Sequence, residues 1–260
     1  MNIGERDELI AILKFIDLKR NKGLFDGKEI KTIYCGDVSC IDLPTDFSVS
    51  KLIHLNDDEL KHIARTCGVK KAPSNSKADI QINSVSISIK SNRSAPPAIV
   101  NHTSRPGFEN VCRKVSVDIK FLDSLIAEYW RMRKARLIKE DVKNTDKNSP
   151  FKEHKEFFKP LLNYFLFKGT GSRESIYPAQ LILTLTDPLD PKTWEVLNEE
   201  AALDKYWEKL VFSLRAKKGM PEGYPDNMSK KANLFKSSVD IWTEYINGDY
   251  RGALHVRALK

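Results

Sequence analysis

The stretch from Ala78 to Lys90 constrains this chain more than any other. Ala78, Ile80, Ile82, Val85, Ile87 and Ile89 are apolar, the residues between them are polar, and only Asn83-Ser84 interrupts the alternation. Successive side chains of a strand point to opposite faces, so each half of the run reads as a half-buried strand. A two-residue interruption joins the halves into a hairpin that pairs Ile82 with Val85, Ile80 with Ile87 and Ala78 with Ile89. The apolar side chains then share one face, and Asp79, Gln81, Ser86, Ser88 and Lys90 share the other.

Around this hairpin the periodicity predicts a mixed chain. Glu5 to Arg20 carries Leu9, Ile10, Leu13, Phe15 and Ile16 on one helical stripe, broken by Asn21-Lys22-Gly23. Glu29 to Cys35 reads as a strand, and Asn56-Asp57-Asp58-Glu59 as a capped helix start closing at Gly68. Ser91 to Gly107, with Pro96, Pro97 and Pro106, reads as irregular. Helices are predicted over Ile119–Val142, Pro150–Phe167 and Thr193–Arg215, with a strand over Ala179–Thr186. Asn247-Gly248 signals a hairpin between Ile241–Ile246 and Ala253–Leu259. No internal repeat or long linker interrupts the chain, so we expect one compact domain with two lobes, 1–145 and 146–260.

With 260 residues and 41% hydrophobic content the chain can bury a core, which excludes disorder and collagen-like structure. No apolar run approaches the roughly 20 residues of a membrane helix. Met1 to Glu8 is too acidic and polar for a signal or transit peptide, so a soluble cytoplasmic protein is expected. A net charge of +8 suits a polyanion such as nucleic acid, and equally suits a basic surface that only keeps the protein in solution. Cys35, Cys40, Cys67 and Cys112 form no CxxC pair, and read as reduced core thiols without metal.

The hairpin is where chemistry is expected. Asp79 sits opposite Ser88 with Lys90 two residues further along the same face, so a carboxylate and an ammonium project together. Such a pair can hold a divalent cation and position a water beside a phosphate, although any solvated hairpin also carries Asp and Lys. Lys77-Ala78-Asp79-Ile80, followed by Ser88-Ile89-Lys90-Ser91, resembles the PD-(D/E)xK nuclease signature, in particular that of type II restriction endonucleases. The continuation Ala95 to Asn101 is similar to the segment after the catalytic lysine in several of these enzymes. The resemblance covers about the first half of the chain.

It implies an α/β fold of α+β type: a restriction-endonuclease-like core with helices on both sides of a mixed central sheet, plus added recognition elements. Ile119–Val142 would cross over to a parallel strand at Ala179–Thr186. It further implies a site-specific deoxyribonuclease that uses Mg2+, with Mn2+ substituting, and catalytic residues Asp79, Lys90, Ser88 and Glu109. The metal would be held by Asp79, the Ile89 carbonyl and Glu109. Ala78 replaces the proline of the signature, and Ser88 stands where the family has Asp or Glu. Glu109 is the first candidate for the missing carboxylate, with Glu5, Glu8 and Asp118 behind it. A single metal held by Asp79, Ile89 and waters, and an inactive site, are the alternatives.

For DNA contact the candidates are Arg93, Asn101, His102 and Arg105 after the hairpin, with Lys168, Thr170, Ser172 and Arg173 around Gly169 and Gly171. An ordinary glycine turn is the competing reading of the second group. The partners implied are double-stranded DNA, a second copy of the chain unless it acts as a monomer, and a cognate DNA methyltransferase in the same host, with no membrane. A nuclease of DNA repair or recombination, or a non-catalytic DNA-binding module on the same fold, are the rival functions.

Overall fold

The computed structural model describes residues 1–73, 75–94, 98–216, 241–246 and 249–259. The chain forms two units from interleaved segments: 1–95, 167–169 and 174–202 make the first, and 96–166, 170–173 and 203–260 the second. The sequence reading of one domain with a single cut after residue 145 gives way to units that the chain enters and leaves more than once.

The first unit opens with α1 (Ile3–Arg20), whose N-terminus is closed by a capping box between Asn2 and Glu5. The short strands β1 (Leu24–Phe25) and β2 (Lys28–Glu29) pair across Asp26 and Gly27, both at positive φ. That turn takes Glu29 out of the strand expected over 29–35 and leaves β3 as Ile33–Cys35. β4 (Val38–Ser39) follows, and then α2 (Asp57–Thr66), capped by Asn56 and Glu59 as its sequence predicts. β5 (Ile80–Ile82) and β6 (Val85–Ser91) form the expected hairpin, with Ile80 opposite Ile87 and Ile82 opposite Val85. Asn83 and Ser84 both take positive φ, the turn that matches the strand twist. The Asn83 side chain accepts from the Lys31 and Thr32 N–H groups and donates to the Glu29 carbonyl.

β7 (Ala98–Ser104), α3 (Arg105–Lys114), α4 (Ile119–Lys134), β8 (Val142–Lys143) and α5 (Lys155–Asn163) belong to the second unit. The chain then returns to the first with β9 (Leu181–Leu185) and β10 (Trp194–Leu197). The first unit's sheet runs β10-β9-β6-β5-β3-β4, and it is mixed: β6 and β9 are parallel, as predicted, and the other pairs antiparallel. Ile10, Leu13, Phe15 and Ile16 of α1 are buried in one core with Ile80, Ile82, Ile87 and Ile89 of the hairpin. Each such side chain contributes about 1.5–3 kcal/mol on burial.

The chain passes to the second unit within α6 (Glu199–Trp207), continuing into β11 (Leu210–Ala216), β12 (Glu244–Ile246) and β13 (Asp249–Ala258). β13 pairs antiparallel with β11, β12 and β7, and β8 adds to β11. Aromatic rings fill the core here: Phe151 stacks on Phe212 at 4.4 Å, and Trp130 donates to the Trp242 carbonyl.

Three expectations are corrected. The prolines near residue 97 and at 106 flank a strand, β7, rather than marking an irregular stretch. The helix predicted to Val142 stops at Lys134, because Arg136 turns the chain at positive φ and Val142 joins a sheet. Of the helix predicted over 193–215 only α6 is helical; Trp194–Leu197 and Leu210–Ala216 are strands with partners far away in sequence. The Asn247-Gly248 turn lies outside the described residues, and the strands flanking it pair antiparallel, Ile246 opposite Asp249. No helix among the described residues is long and apolar enough to cross a membrane.

Candidate active site

Asp79 immediately precedes β5, where the hairpin ends. Its carboxylate Oδ2 accepts from the Ile89 N–H at 2.6 Å and the Ser88 hydroxyl at 3.3 Å, and faces Lys90 Nζ at 3.7 Å. Its side chain is 15% exposed against 41% for Lys90, so the carboxylate is seated and the ammonium reaches outward. Ser88, buried at the cross-strand position, therefore donates to Asp79 rather than standing as a ligand. In a strand the N–H and C=O of one residue point to the same side, so the Ile89 carbonyl is aimed toward Asp79 with its N–H.

A second carboxylate comes from α1. Glu8 shares a helical stripe with the buried Ile12 and Phe15, four and seven residues on. Burial pushes the Glu8 carboxyl up to about 7; the Asp79 charge acts in the same direction, and the Lys90 and Lys71 ammoniums oppose it. Lys77 lies at the same place, its ammonium brought down to about 8 by burial and by the charge of Lys90. Three carboxylates, Glu5, Glu8 and Asp79, and three lysines, Lys71, Lys77 and Lys90, are thus electrostatically linked around the end of the hairpin.

The neighbouring residue fixes α1 against this strand. Asp7 is fully buried and accepts from the Ser91 hydroxyl and from Arg93 Nε at 3.0 Å, while Arg93 Nη2 pairs with its other oxygen. Glu8 follows Asp7 and Lys90 precedes Ser91, so the bond between the buried Asp7 carboxylate and the Ser91 hydroxyl sets the spacing of two site residues.

Asp79, Gln81 and Ser86 of the polar hairpin face also line a cavity of about 280 Å³ with Gly36, Asp37, Pro73, Ser76 and Tyr177. As a cation site, Asp79, Glu8 and the Ile89 carbonyl offer oxygen donors only. That set fits Mg2+ or Mn2+, which bind through one or two carboxylates and keep several waters. No group of three or more His, Cys, Asp or Glu side chains converges as a metal site among the described residues.

The other candidate carboxylates have different partners. Glu109 lies on α3 in the second unit, 45% exposed and paired with Arg105 at 3.7 Å. Glu5 closes the α1 capping box and pairs with Lys71 at 2.9 Å. Asp118 caps α4 through the Lys120 N–H. Of the two candidates in the first unit, Glu8 has the Asp79 charge acting on it and Glu5 does not.

The predicted DNA contacts divide in the same way. Arg93 is committed to Asp7, and Arg105 donates through Nε and Nη2 to Asp123 at 2.9 and 2.8 Å, so these two guanidiniums have structural partners. Lys168 pairs with Glu199, and Arg173 is exposed. Asn101, His102, Thr170 and Ser172 come together in the second unit, where they line an open groove of about 550 Å³ with Asn110 and Arg113. The groove depends on its glycines: a Cβ on Gly107 or Gly171 would meet Thr103 Cγ2 at 2.7 or 2.6 Å, and Asn110 donates to the Gly171 carbonyl. Asn101 and His102 stand opposite the single residue His255 in a β-bulge, with His102 at positive φ, an arrangement that re-aims side chains. Sequence reasoning missed Arg113 and ranked Glu8 low; the signal for Glu8 was a carboxylate in register with an apolar helical stripe.

No family model, curated protein or solved structure matches the chain.

Proposed function

We propose that the chain is a metal-dependent endonuclease of the PD-(D/E)xK type that cuts double-stranded DNA in the manner of a type II restriction enzyme. One observation carries this reading: Asp79 and Lys90 face each other at 3.7 Å at the end of the β5–β6 hairpin, and the charges of both act on a second carboxylate, Glu8. The parallel pairing of β6 with β9 in a mixed sheet supports a core of that family.

When bound, a divalent ion supplies Lewis acidity and lowers the pKa of water at the scissile phosphate. Asp79, Glu8 and the Ile89 carbonyl would hold it, with Glu8 supplying the carboxylate that Ser88 lacks, in place of Glu109. The Ile89 N–H and Ser88 hydroxyl keep the Asp79 carboxylate in one orientation. Lys90 donates to a non-bridging phosphate oxygen and orients the attacking water in line with the 3′ oxygen, while Lys77 adds positive charge against the phosphate. The products carry 5′-phosphate and 3′-hydroxyl ends. Asn101, His102, Arg113, Thr170 and Ser172 in the groove of the second unit contact the duplex. On this reading the protein acts in the cytoplasm, as a dimer or monomer, beside a methyltransferase that protects the host's own sites.

Asp79→Ala and Lys90→Ala test the assignment. Each is expected to lower Mg2+-dependent hydrolysis by about 10²–10⁴-fold, in the range of a lost acid–base or water-orienting group, with circular dichroism and DNA binding retained. Full activity in Lys90→Ala would sink the reading.

A further inference from the structure

The β3–β4 hairpin carries a pair of cysteines that the proposed hydrolysis does not use. Cys35 ends β3, and Cys40 follows β4 with its N–H on the Ile33 carbonyl at 2.8 Å. That pairing sets Cys40 diagonally across from Cys35 on the same face of the two strands. Their sulfurs are 3.4 Å apart and both side chains are buried, at 4% and 2% exposure. A disulfide needs about 2.05 Å, so a movement of about 1.4 Å, within reach of side-chain rotation, brings them to bonding distance. Gly36 and Asp37, directly after Cys35, line the cavity at Asp79, and that cavity of about 280 Å³ has room for a small oxidant beside the hairpin.

We propose that Cys35 and Cys40 are a modification site for hydroperoxides, forming a reversible disulfide that staples the β3–β4 hairpin. The Cys35 thiolate attacks a peroxide oxygen; an S–O bond forms, the O–O bond breaks, and the leaving alkoxide or hydroxide takes a proton. The Cys40 sulfur then attacks the Cys35 sulfur, the S–S bond forms, and the S–O bond breaks to release water that carries the Cys40 proton. Two thiols lose two electrons, and the peroxide is reduced to water and an alcohol, or to two waters. The direction of attack follows from the pair itself: the hydrogen bond between the two sulfurs holds Cys35 below the ordinary thiol range, while Cys40 is pushed up. Burial pushes both other thiols up, Cys112 to about 11, so both resist oxidation. The bridge is independent of what the Asp79 site hydrolyses, although it fixes a turn that walls the cavity there.

Exposure of the purified 260-residue chain to hydrogen peroxide, alkylation of the remaining thiols and peptide mass mapping test this without any activity assay. The expected result is one bridge, Cys35 to Cys40, with the loss of two hydrogens, alkylated Cys67 and Cys112, and reversal by dithiothreitol. Cys40→Ser is expected to stop at a sulfenic acid on Cys35 that dimedone captures. Alkylatable Cys35 and Cys40, after a treatment that fully oxidises free cysteine, would overturn the proposal, as would a bridge to Cys67. The wild-type map decides the matter even if the variant does not fold.

Discussion

Glu8 stabilises the fold least in the form in which it would bind a cation. Its carboxyl is raised from 4.5 to about 7, so its contribution to stability is fully present below pH 4.5 and is lost as the pH rises through 7. In metal-free protein at pH 8, Glu8→Gln is therefore expected to stabilise the fold by about 1–3 kcal/mol, after allowance for partial solvent screening. The same variant is expected to lose at least about 10-fold in Mg2+ affinity, by calorimetry. Urea unfolding in chelator at pH 4 and pH 8 checks the first half: the gain should appear at pH 8 and vanish at pH 4. At this scale the sequence set Asp79 and Lys90 on one hairpin face, where the structure pairs them, because both belong to a local motif. It placed Glu8 only behind Glu109, because the approach of α1 to the hairpin is a matter of tertiary packing.

At the level of elements, the hairpin was legible from its turn to the Ile80–Ile87 pair; the ladder ends there, without the expected Ala78–Ile89 pair, and the Asp79 N–H donates to the Ile87 carbonyl. Its register follows from alternation and from a turn whose residues tolerate positive φ. The capped start of α2 was equally legible, since Asn56 and Glu59 satisfy its first N–H groups locally. β11 was misread as helix because Leu210 to Leu214 is a nearly continuous apolar run, and periodicity cannot separate a buried strand from a buried helix. What settles it is the pairing with β13, a contact with no local signature. The Asp7–Ser91–Arg93 cluster also joins distant elements, α1 and the end of β6. Asp7→Ala leaves Arg93 without its buried partner and is expected to cost about 1–4 kcal/mol in urea unfolding. It should also slow hydrolysis with Asp79 and Lys90 both in place. Unchanged stability there would show that the cluster does not fix α1.

For the whole molecule, the charge of +8 has two candidate destinations, the lysines around Asp79 and the groove of the second unit. The glycine loop was legible only as candidate DNA contacts or an ordinary turn; its packing against Gly107 of α3 was not, since Gly107 and Gly171 lie 64 positions apart in sequence. Gly171→Ala forces a contact of 2.6 Å with Thr103 and is expected to cost about 1–3 kcal/mol and to weaken DNA binding in a filter assay, while leaving Asp79 and Lys90 intact. The proposed chemistry at the Asp79 site is hydrolysis of duplex DNA at defined sequences. Its most direct test is digestion of a long DNA of known sequence by the purified chain in Mg2+. The account predicts a reproducible set of discrete fragments with 5′-phosphate ends, absent for Lys90→Ala. Intact DNA in both Mg2+ and Mn2+, from folded protein that binds the duplex, would contradict it.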